Sequence, residues 1–307
     1  MIAKLVRNVA RGFSMGAADI VPGVSGGTVA LVLGIYERLL DCVSDGARGM
    51  GSLLKGDVDG LRRRMGQVEW SFLIPLATGV LTAIALLSSV IQRLLRDRPE
   101  EMAGLFFGLV VGSMVVAWSA LHERGSAELI VMAVVGAVTF VLLGFQSGPA
   151  LDPPLWAYFG AGAIAICAMI LPGISGSFLL LMMGMYAPVL ADVHERTIVP
   201  LAVFAVGAAI GLGLFSTGLR RLLDQVHDPV VAGLIGLMVG SLRVLWPWPN
   251  GVGVVSDDAS ETVSGTSLGW PEPGHAVVPI VLAVVAFVVV VGVSRAAEHE
   301  PDRETVG

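Results

Sequence analysis

The sequence predicts an all-α polytopic membrane protein made of two inverted repeats, each a re-entrant helical hairpin followed by three transmembrane helices. Of its 307 residues, 55% are hydrophobic and only 14% are charged, and the mean hydropathy is +0.80. Globular domains carry about 25% charged residues. Apolar runs recur that are long enough for the about 20 residues needed to cross a hydrocarbon core of about 30 Å. The composition therefore excludes a soluble domain, and the net charge of −6 gives no reason to expect a nucleic acid partner.

An internal repeat divides the chain. The segment Ala18–Tyr36, ADIVPGVSGGTVALVLGIY, returns as Ala168–Tyr186, AMILPGISGSFLLLMMGMY. Further along, GLVVGSMVVAW ending at Trp118 matches GLMVGSLRVLW ending at Trp246. Collinear matches of this kind predict a duplication. The predicted units are a first repeat over 1–148, a second repeat over 149–295 and a polar cytoplasmic tail over 296–307.

A PGxSG motif in each repeat predicts the break of a membrane helix. Proline lacks an N–H donor and glycine favours irregular backbone, so Pro22, Gly23, Pro172 and Gly173 are the predicted helix-breaking tips. Irregular backbone survives at membrane depth only where protein buries it or water lines it. We therefore expect re-entrant hairpins over about 13–41 and 156–190. The remaining apolar segments are the expected spans, at about 71–91, 102–121 and 129–145 in the first repeat and 198–219, 230–246 and 276–293 in the second.

The distribution of basic residues sets the predicted topology. If the first hairpin turns back rather than crossing, 14 of the 19 Lys and Arg residues fall on the cytoplasmic side and four outside. This arrangement places both termini in the cytoplasm. It also gives each repeat an odd number of crossings, which makes the repeats antiparallel, a recurrent transporter design. The hairpin tips near Ser25 and Ser175 are then expected to meet near the midplane.

Backbone donors and hydroxyl groups follow both breaks and predict an anion site. A helix N-terminus presents unpaired N–H groups and a positive dipole end, which suit a phosphate. Arg243 can pair with the same phosphate or reach the interface near Trp246. The alternative for the motifs is that their small residues only pack the hairpins together. The predicted phosphate-binding residues are Ser25, Gly26, Gly27, Thr28, Ser175, Gly176, Ser177 and Arg243.

Asp19 is an ionisable residue just before the first break, and its repeat partner is Met169. Ionisable residues at membrane depth are functional candidates, so Asp19 can carry a coupling proton or sodium ion. The alternatives are that it caps a helix or pairs with an arginine. No histidine is expected near either tip, and no catalytic residue, metal site or cofactor is therefore predicted. The histidines expected in loops or tails are His122, His194, His227, His275 and His299.

The segment MGAADIVPGVSGGTVALVLGIYERL resembles the signature of the bacterial and archaeal polyprenyl-phosphate transporter family, long catalogued as a domain of unknown function. The similarity extends over nearly the whole chain, including ILPGISGSFLLLMMGMY. The resemblance implies a non-enzymatic protein of the cytoplasmic membrane whose partners are a polyprenyl phosphate and membrane lipids. It would return undecaprenyl phosphate, or a similar lipid, from the outer to the inner leaflet and so recycle the carrier of envelope synthesis.

Two other functions stay open at this point. Undecaprenyl-diphosphate phosphatases resemble the same plan, with PGxSRSG-like tips, but PGVSGG and PGISGS have no arginine after the serine to stabilise a transition state. A small-anion or ion transporter would need a polar pathway, and the apolar spans show almost none. The polyprenyl chain length, the oligomeric state and the coupling ion are left open.

Overall fold

The computed structural model describes residues 2–21, 24–54, 56–119, 121–145, 150, 152–249 and 268–298. Within these ranges the chain forms 13 α-helices and no β-strand, which confirms the predicted all-α class. The first repeat contains α1 (Ile2–Asp19), α2 (Gly26–Val32), α3 (Tyr36–Leu54), α4 (Val58–Met65), α5 (Trp70–Asp97), α6 (Pro99–Ser119) and α7 (Ser126–Leu142). The second contains α8 (Leu155–Ile170), α9 (Gly176–Met182), α10 (Tyr186–Glu195), α11 (Ile198–Gln225), α12 (His227–Ser241) and α13 (Val277–Glu298).

Four of these helices are long and apolar enough to cross a membrane, namely α5, α6, α11 and α13. The helices α7, α8 and α12 are apolar but shorter, with 17, 16 and 15 residues. A fifth crossing would need α9 and α10 together, and these two helices meet at 107°. The chain is a multi-pass membrane protein. Crossing by α7 and α12, and the inverted orientation of the repeats, stay predictions.

The outer surface of the helices is apolar, as lipid requires. On α13, Val277, Val281, Val284 and Val288 recur at helical spacing and are 64%, 52%, 56% and 60% exposed. In a soluble protein such a stripe would be buried against a core. Here it forms the face that hydrocarbon covers, so the exposed valines agree with a membrane location.

Some helix boundaries differ from those expected. Helix α1 begins at Ile2, upstream of residue 13 where the first hairpin is predicted to begin, and it lies along α5 with Asn8, Gly12 and Met15 buried. The last helix continues to Glu298, so the tail expected from residue 296 starts inside α13. The segment between the first hairpin and α5 contains helical structure, because α3 extends to Leu54 and α4 follows it.

The duplication is visible in the order of the helices. The short helices α2 and α9 begin at equivalent positions of the two PGxSG motifs, and both are followed by a glycine in the left-handed region, Gly34 with φ of 64° and Gly184 with φ of 70°. Each glycine lets the chain turn sharply from the short helix into the next one, a conformation that a side chain would strain. The helices α5 and α11 are both 28 residues long.

Glycines at matching positions bring the helices of each repeat into close contact. A Cβ atom on Gly79 of α5 would lie 2.1 Å from the carbonyl oxygen of Val9 in α1. The equivalent Gly207 of α11 faces α8, where a Cβ atom would lie 2.1 Å from the carbonyl oxygen of Phe159. Lipid supplies no hydrophobic force between helices, so close backbone packing of small residues is what associates them.

The second and third long apolar helices of each repeat pack against helices of the other repeat. Helix α6 packs against α13, whereas its equivalent α12 packs against α7. Gly108 of α6 and Gly236 of α12 occupy matching positions, and a Cβ atom there would meet the backbone of Ala283 at 1.9 Å and of Met132 at 2.7 Å. Each repeat therefore also packs two of its helices closely against helices of the other, and the two halves form one interlocked unit.

A polar contact adds to this interlocking. Helix α3 packs against α11, where Arg220 Nε lies 2.9 Å from Asp41 Oδ1 and Arg220 Nη1 lies 3.4 Å from Asp45 Oδ1. Ser44 is buried between them and pairs with Thr217 at 3.3 Å. The segment that leaves the first hairpin is thus attached to the second repeat.

Replacing Gly207 with alanine is expected to lower the thermal unfolding temperature of the detergent-purified protein. The new methyl group would overlap the Phe159 carbonyl, and overpacking of this kind costs about 1–3 kcal/mol. Gly218→Ala on the same helix is the matched control, because nothing lies within 4 Å of a Cβ atom there. Equal unfolding temperatures for the two variants would contradict the close packing of α8 on α11.

Candidate functional site

The first hairpin tip is attached to the second repeat through Ser25. This residue is the N-cap of α2, and its Oγ accepts a hydrogen bond from the N–H of Gly27 at 3.1 Å. The same hydroxyl donates to the carbonyl of Met169 at 3.0 Å, near the end of α8. Ser25 is buried, so this hydroxyl satisfies one free group on each side of the contact.

A second bond between the tips runs in the other direction. The N–H of Gly173 donates to Thr28 Oγ1 at 2.8 Å, and Thr28 is completely buried. Gly173 has φ of +85°, and a Cβ atom there would lie 2.8 Å from Cα of Met238 in α12. Glycine is therefore required at this turn by both conformation and space. The two tips are in direct contact, and each accepts a bond from the other.

Asp19 caps the short helix α2. The N–H of Gly26, the first residue of α2, donates to Asp19 Oδ1 at 2.6 Å. A carboxylate is stabilised at a helix N-terminus by the partial positive charge there. The carboxylate of Asp19 thus lies where the sequence predicts a phosphate. Of the alternatives raised for Asp19, helix capping is the one observed, while its role in ion coupling stays a prediction.

A small cavity of about 120 Å³ opens beside this cap. Asp19, Gly26 and Gly27 line it from the first tip, and Met169 and Ile170 line it from the second repeat. Tyr36 also lines it. The Tyr36 hydroxyl is buried and has no hydrogen-bond partner among the described residues. A buried hydroxyl without a partner is unusual and indicates a position where a ligand or water can bind.

The sequence predictions missed Tyr36. The available signal was its recurrence as Tyr186 at the end of the second motif. A tyrosine in an apolar segment is more often a packing residue, so the repetition alone did not identify it. Only the unpaired hydroxyl next to Asp19 distinguishes it.

The second tip is arranged differently from the first. Ser175 and Ser177 pair with each other at 2.8 Å, and Ser175 makes no capping bond to α9. A Cβ atom on Gly176 would lie 2.6 Å from the carbonyl oxygen of Ala165, so α9 packs tightly on α8. Phe178, which replaces the Thr28 of the first motif, packs in an apolar cluster with Leu143 and Val244.

Arg243 lies beyond the helix that forms the fifth predicted span, 230–246. Helix α12 ends at Ser241, and the N–H of Arg243 bonds to the carbonyl of Gly240 three residues earlier, which tightens the chain into a turn. Pro247 and Pro249 follow, and proline cannot continue a helix. The guanidinium carbon lies 4.8 Å from the ring centroid of Phe140 in α7. The Nε atom is buried without a hydrogen-bond partner among the described residues.

The structure therefore divides the predicted phosphate-binding residues into two groups. Ser25, Gly26, Gly27 and Thr28 lie at the contact with the second tip, next to Asp19 and the cavity. Ser175, Gly176 and Ser177 lie at the other tip, and Arg243 lies beside α7 near the apolar cluster of Phe178. Pro22 and Gly23 fall outside the described residues, whereas Pro172 is buried directly before the turn at Gly173.

Two of the histidine predictions are wrong. His194 lies inside α10 and His227 is the first residue of α12, whereas His122 and His275 lie in loops as expected, and His299 is outside the described residues. In the sequence alone, polar residues at the end of an apolar run suggest a loop. Both histidines instead occupy helix ends, where exposure to solvent is compatible with helical backbone.

Comparison with known proteins places this arrangement in a family. The chain matches the model of the family described as undecaprenyl phosphate translocase-like over residues 15–263. It is 37% identical over 300 residues to a polyprenyl-phosphate transporter of Vibrio cholerae serotype O1, covering 94% of this chain and 96% of that protein. It is 30% identical over 257 residues to a polyprenyl-phosphate transporter of Staphylococcus aureus, covering 78% and 86%. No solved structure matches the chain significantly.

Replacing Thr28 with valine is expected to destabilise the contact between the tips. Valine has nearly the shape of threonine but cannot accept the bond from Gly173, and an unpaired buried N–H costs about 1–3 kcal/mol. Thr28→Ser keeps the hydroxyl and loses only a methyl group, worth about 0.8 kcal/mol. Thermal unfolding in detergent should therefore fall further for valine than for serine. A serine variant as unstable as the valine variant would show that the hydrogen bond contributes little.

Proposed function

The chain belongs to the undecaprenyl phosphate translocase-like family, and from this premise we propose that it translocates undecaprenyl phosphate, or a similar polyprenyl phosphate, across the membrane. The observation that supports the position of the site is the contact between the two hairpin tips. A phosphate headgroup crosses hydrocarbon slowly because its charge must leave water. Buried donors at a contact between two repeats can replace that water, while the prenyl tail stays in lipid.

The headgroup binds, in this proposal, where the tips now bind each other. Gly26 donates to Asp19, and Gly173 donates to Thr28, so both N–H groups are already occupied in this arrangement. A phosphate that enters between the tips takes over these two donors and releases the Thr28 hydroxyl as a third. The exchange keeps buried polar groups paired at each stage, which limits the free energy needed to part the tips.

Tyr36 and Arg243 extend the site on its two sides. The Tyr36 hydroxyl lies beside the cavity and has no partner among the described residues, so it can donate to a phosphate oxygen there. Arg243 has no acidic partner among the described residues, and its guanidinium group lies against the ring of Phe140. A buried cation without an anion is costly. The phosphate supplies that anion as the tips separate and the headgroup passes towards α7.

Asp19 couples the transport to an ion in this proposal. Its carboxylate and the phosphate compete for the N–H of Gly26, and two anions cannot share one site without a large cost. A proton or a sodium ion that neutralises Asp19 removes this competition. Loading of the phosphate therefore requires uptake of the ion, and both are released together.

We infer the orientation of the chain from its charge distribution and the direction of transport from the family resemblance. The excess of basic residues predicted on one side favours cytoplasmic termini and a position in the cytoplasmic membrane. The lipid then moves from the outer to the inner leaflet and is returned to envelope synthesis. Both relatives described above are named as transporters, and we propose that this chain likewise has no phosphatase activity.

Proteoliposomes containing the protein are expected to move a polyprenyl phosphate between leaflets without releasing phosphate from the corresponding diphosphate. Arg243→Ala should slow translocation about 10-fold or more, because a hydrogen bond to a charged group contributes about 1.5–3 kcal/mol. Ser25→Ala and Ser175→Ala should also slow it. Arg62→Ala, on an exposed face of α4, is the control and should leave the rate unchanged. Release of phosphate by the wild type would make the protein an enzyme instead.

Asp19→Asn is expected to abolish the dependence of transport on an ion gradient. Asparagine still accepts the Gly26 N–H but carries no charge, so the site is permanently neutral. If the coupling ion is a proton, wild-type transport falls as the pH rises through the titration of Asp19, and the variant loses this component. Comparing the two proteins with the same substrate cancels the titration of the phosphate itself. A variant as gradient-dependent as the wild type would exclude Asp19 as the coupling residue.

A further inference from the structure

A second cluster of polar side chains lies away from the hairpin tips, at the junction of three segments. His122 belongs to the loop between α6 and α7, and His227 and Asp228 open α12. Asp228 Oδ1 lies 3.1 Å from His122 Nδ1 and 2.9 Å from His227 Nδ1. One potential ligand atom from each residue lies within 4.8 Å of the others. Residues more than 100 positions apart in the chain thus converge on one point.

Two of the three separations are close to those of ligands around a tetrahedral metal ion. Zn²⁺ binds histidine nitrogen and carboxylate oxygen at about 2.0–2.2 Å, so adjacent ligand atoms in a tetrahedron lie about 3.3 Å apart. The two measured separations are close to this value. Two histidines and one carboxylate also form a known set for zinc sites that keep a fourth position for water.

The hydrogen bonds around His227 match those of a metal-ligating histidine. His227 Nε2 lies 3.3 Å from Glu37 Oε1, on the far side of the ring from Asp228. Without a metal, only an imidazolium could donate to both carboxylates, because a neutral imidazole has one N–H. With a metal on Nδ1, the proton resides on Nε2 and is donated to Glu37. A carboxylate that orients a ligating histidine in this way is a usual second partner of metal sites.

The carboxylate of Asp228 is also held in place. Its Oδ2 accepts the N–H of Glu123 at 2.7 Å, and its Oδ1 accepts the N–H of His122 at 3.2 Å. The rings of His122 and His227 meet edge to face, with centroids 5.0 Å apart. The two rings are therefore fixed relative to each other and to the carboxylate. His122 is exposed, which leaves the point of convergence open to ions in solution.

We propose that His122, His227 and Asp228 bind a divalent transition metal ion of the Zn²⁺ type, with Glu37 as the residue that orients His227. This site goes beyond the translocation of a polyprenyl phosphate and does not depend on it. The bound ion would connect the α6–α7 loop to α12. Glu37 directly follows Tyr36 at the start of α3. Its contact with the metal-bound His227 would therefore also attach the end of the first hairpin to the second repeat.

Zinc titration of the full chain, purified in detergent without a histidine tag, tests the proposal. We expect one Zn²⁺ per chain in competition with a chelator, together with a rise in the thermal unfolding temperature, since a ligand that binds only the folded state stabilises it. His122→Ala should weaken zinc binding at least 10-fold without loss of fold, because its backbone bond to Asp228 remains. Glu37→Gln should weaken binding about 10–100-fold.

His194→Ala, on the exposed end of α10, is the matched control and should bind zinc like the wild type. If His122→Ala fails to give a monodisperse protein, His122→Gln replaces it, with the same expected loss. The proposal is overturned if the wild type binds less than one equivalent, or if the His122 and His194 variants bind zinc equally well. The same holds if zinc leaves the unfolding temperature unchanged. In each of these cases the three side chains form only a hydrogen-bonded contact.

Discussion

The two interrupted helices leave backbone groups that have no partner within their own segment, and lipid offers none. This constraint determines how the protein is assembled. The hydroxyl of Ser25 bonds to the carbonyl of Met169, and Thr28 accepts the N–H of Gly173, so side chains of the first repeat satisfy the backbone at the second break. At the first break, Asp19 and Ser25 accept the N–H groups of Gly26 and Gly27. Any motion that opens the space between the tips must break both bonds between the repeats. A ligand that offers replacement hydrogen bonds therefore lowers the free energy needed to separate the tips.

The surrounding helices keep the tips in position by close packing of small residues together with buried apolar clusters. On α5, α11 and α13 many large apolar side chains face outwards, towards lipid, and glycines make the closest inner contacts. Because α6 packs against α13 and α7 against α12, each repeat holds a helix of the other. Both hairpins are consequently held by one frame to which each repeat contributes helices. The polar contact between α3 and α11, centred on Arg220, couples the exit of the first hairpin to the same frame.

The chemistry of the two halves differs although their architecture is duplicated. Asp19 has Met169 as its counterpart, and Thr28 has Phe178. The first tip therefore has a capping carboxylate, a hydroxyl acceptor and a cavity, whereas the second has a serine pair and an apolar cluster. Arg243 likewise belongs to one half only, at the position that Val115 occupies in the other. An asymmetric pair of tips suits a carrier that binds a charged headgroup from one side and releases it on the other.

The sequence by itself determined the helical class, the membrane location, the duplication and the position of the breaks, because apolar run length, proline and glycine act locally on the backbone. It also indicated Ser25 and Thr28 as candidate site residues, since both follow a helix break. The tertiary structure alone decided which groups meet: the bond from Gly26 to Asp19, the unpaired hydroxyl of Tyr36, and the turn that takes Arg243 out of α12. The sequence likewise gave no sign that His122 and His227 converge, because they lie in different segments and neither has a histidine counterpart in the other repeat. Hydrogen-bond partners across a fold depend on how helices pack against each other, and no local pattern of residues records that packing.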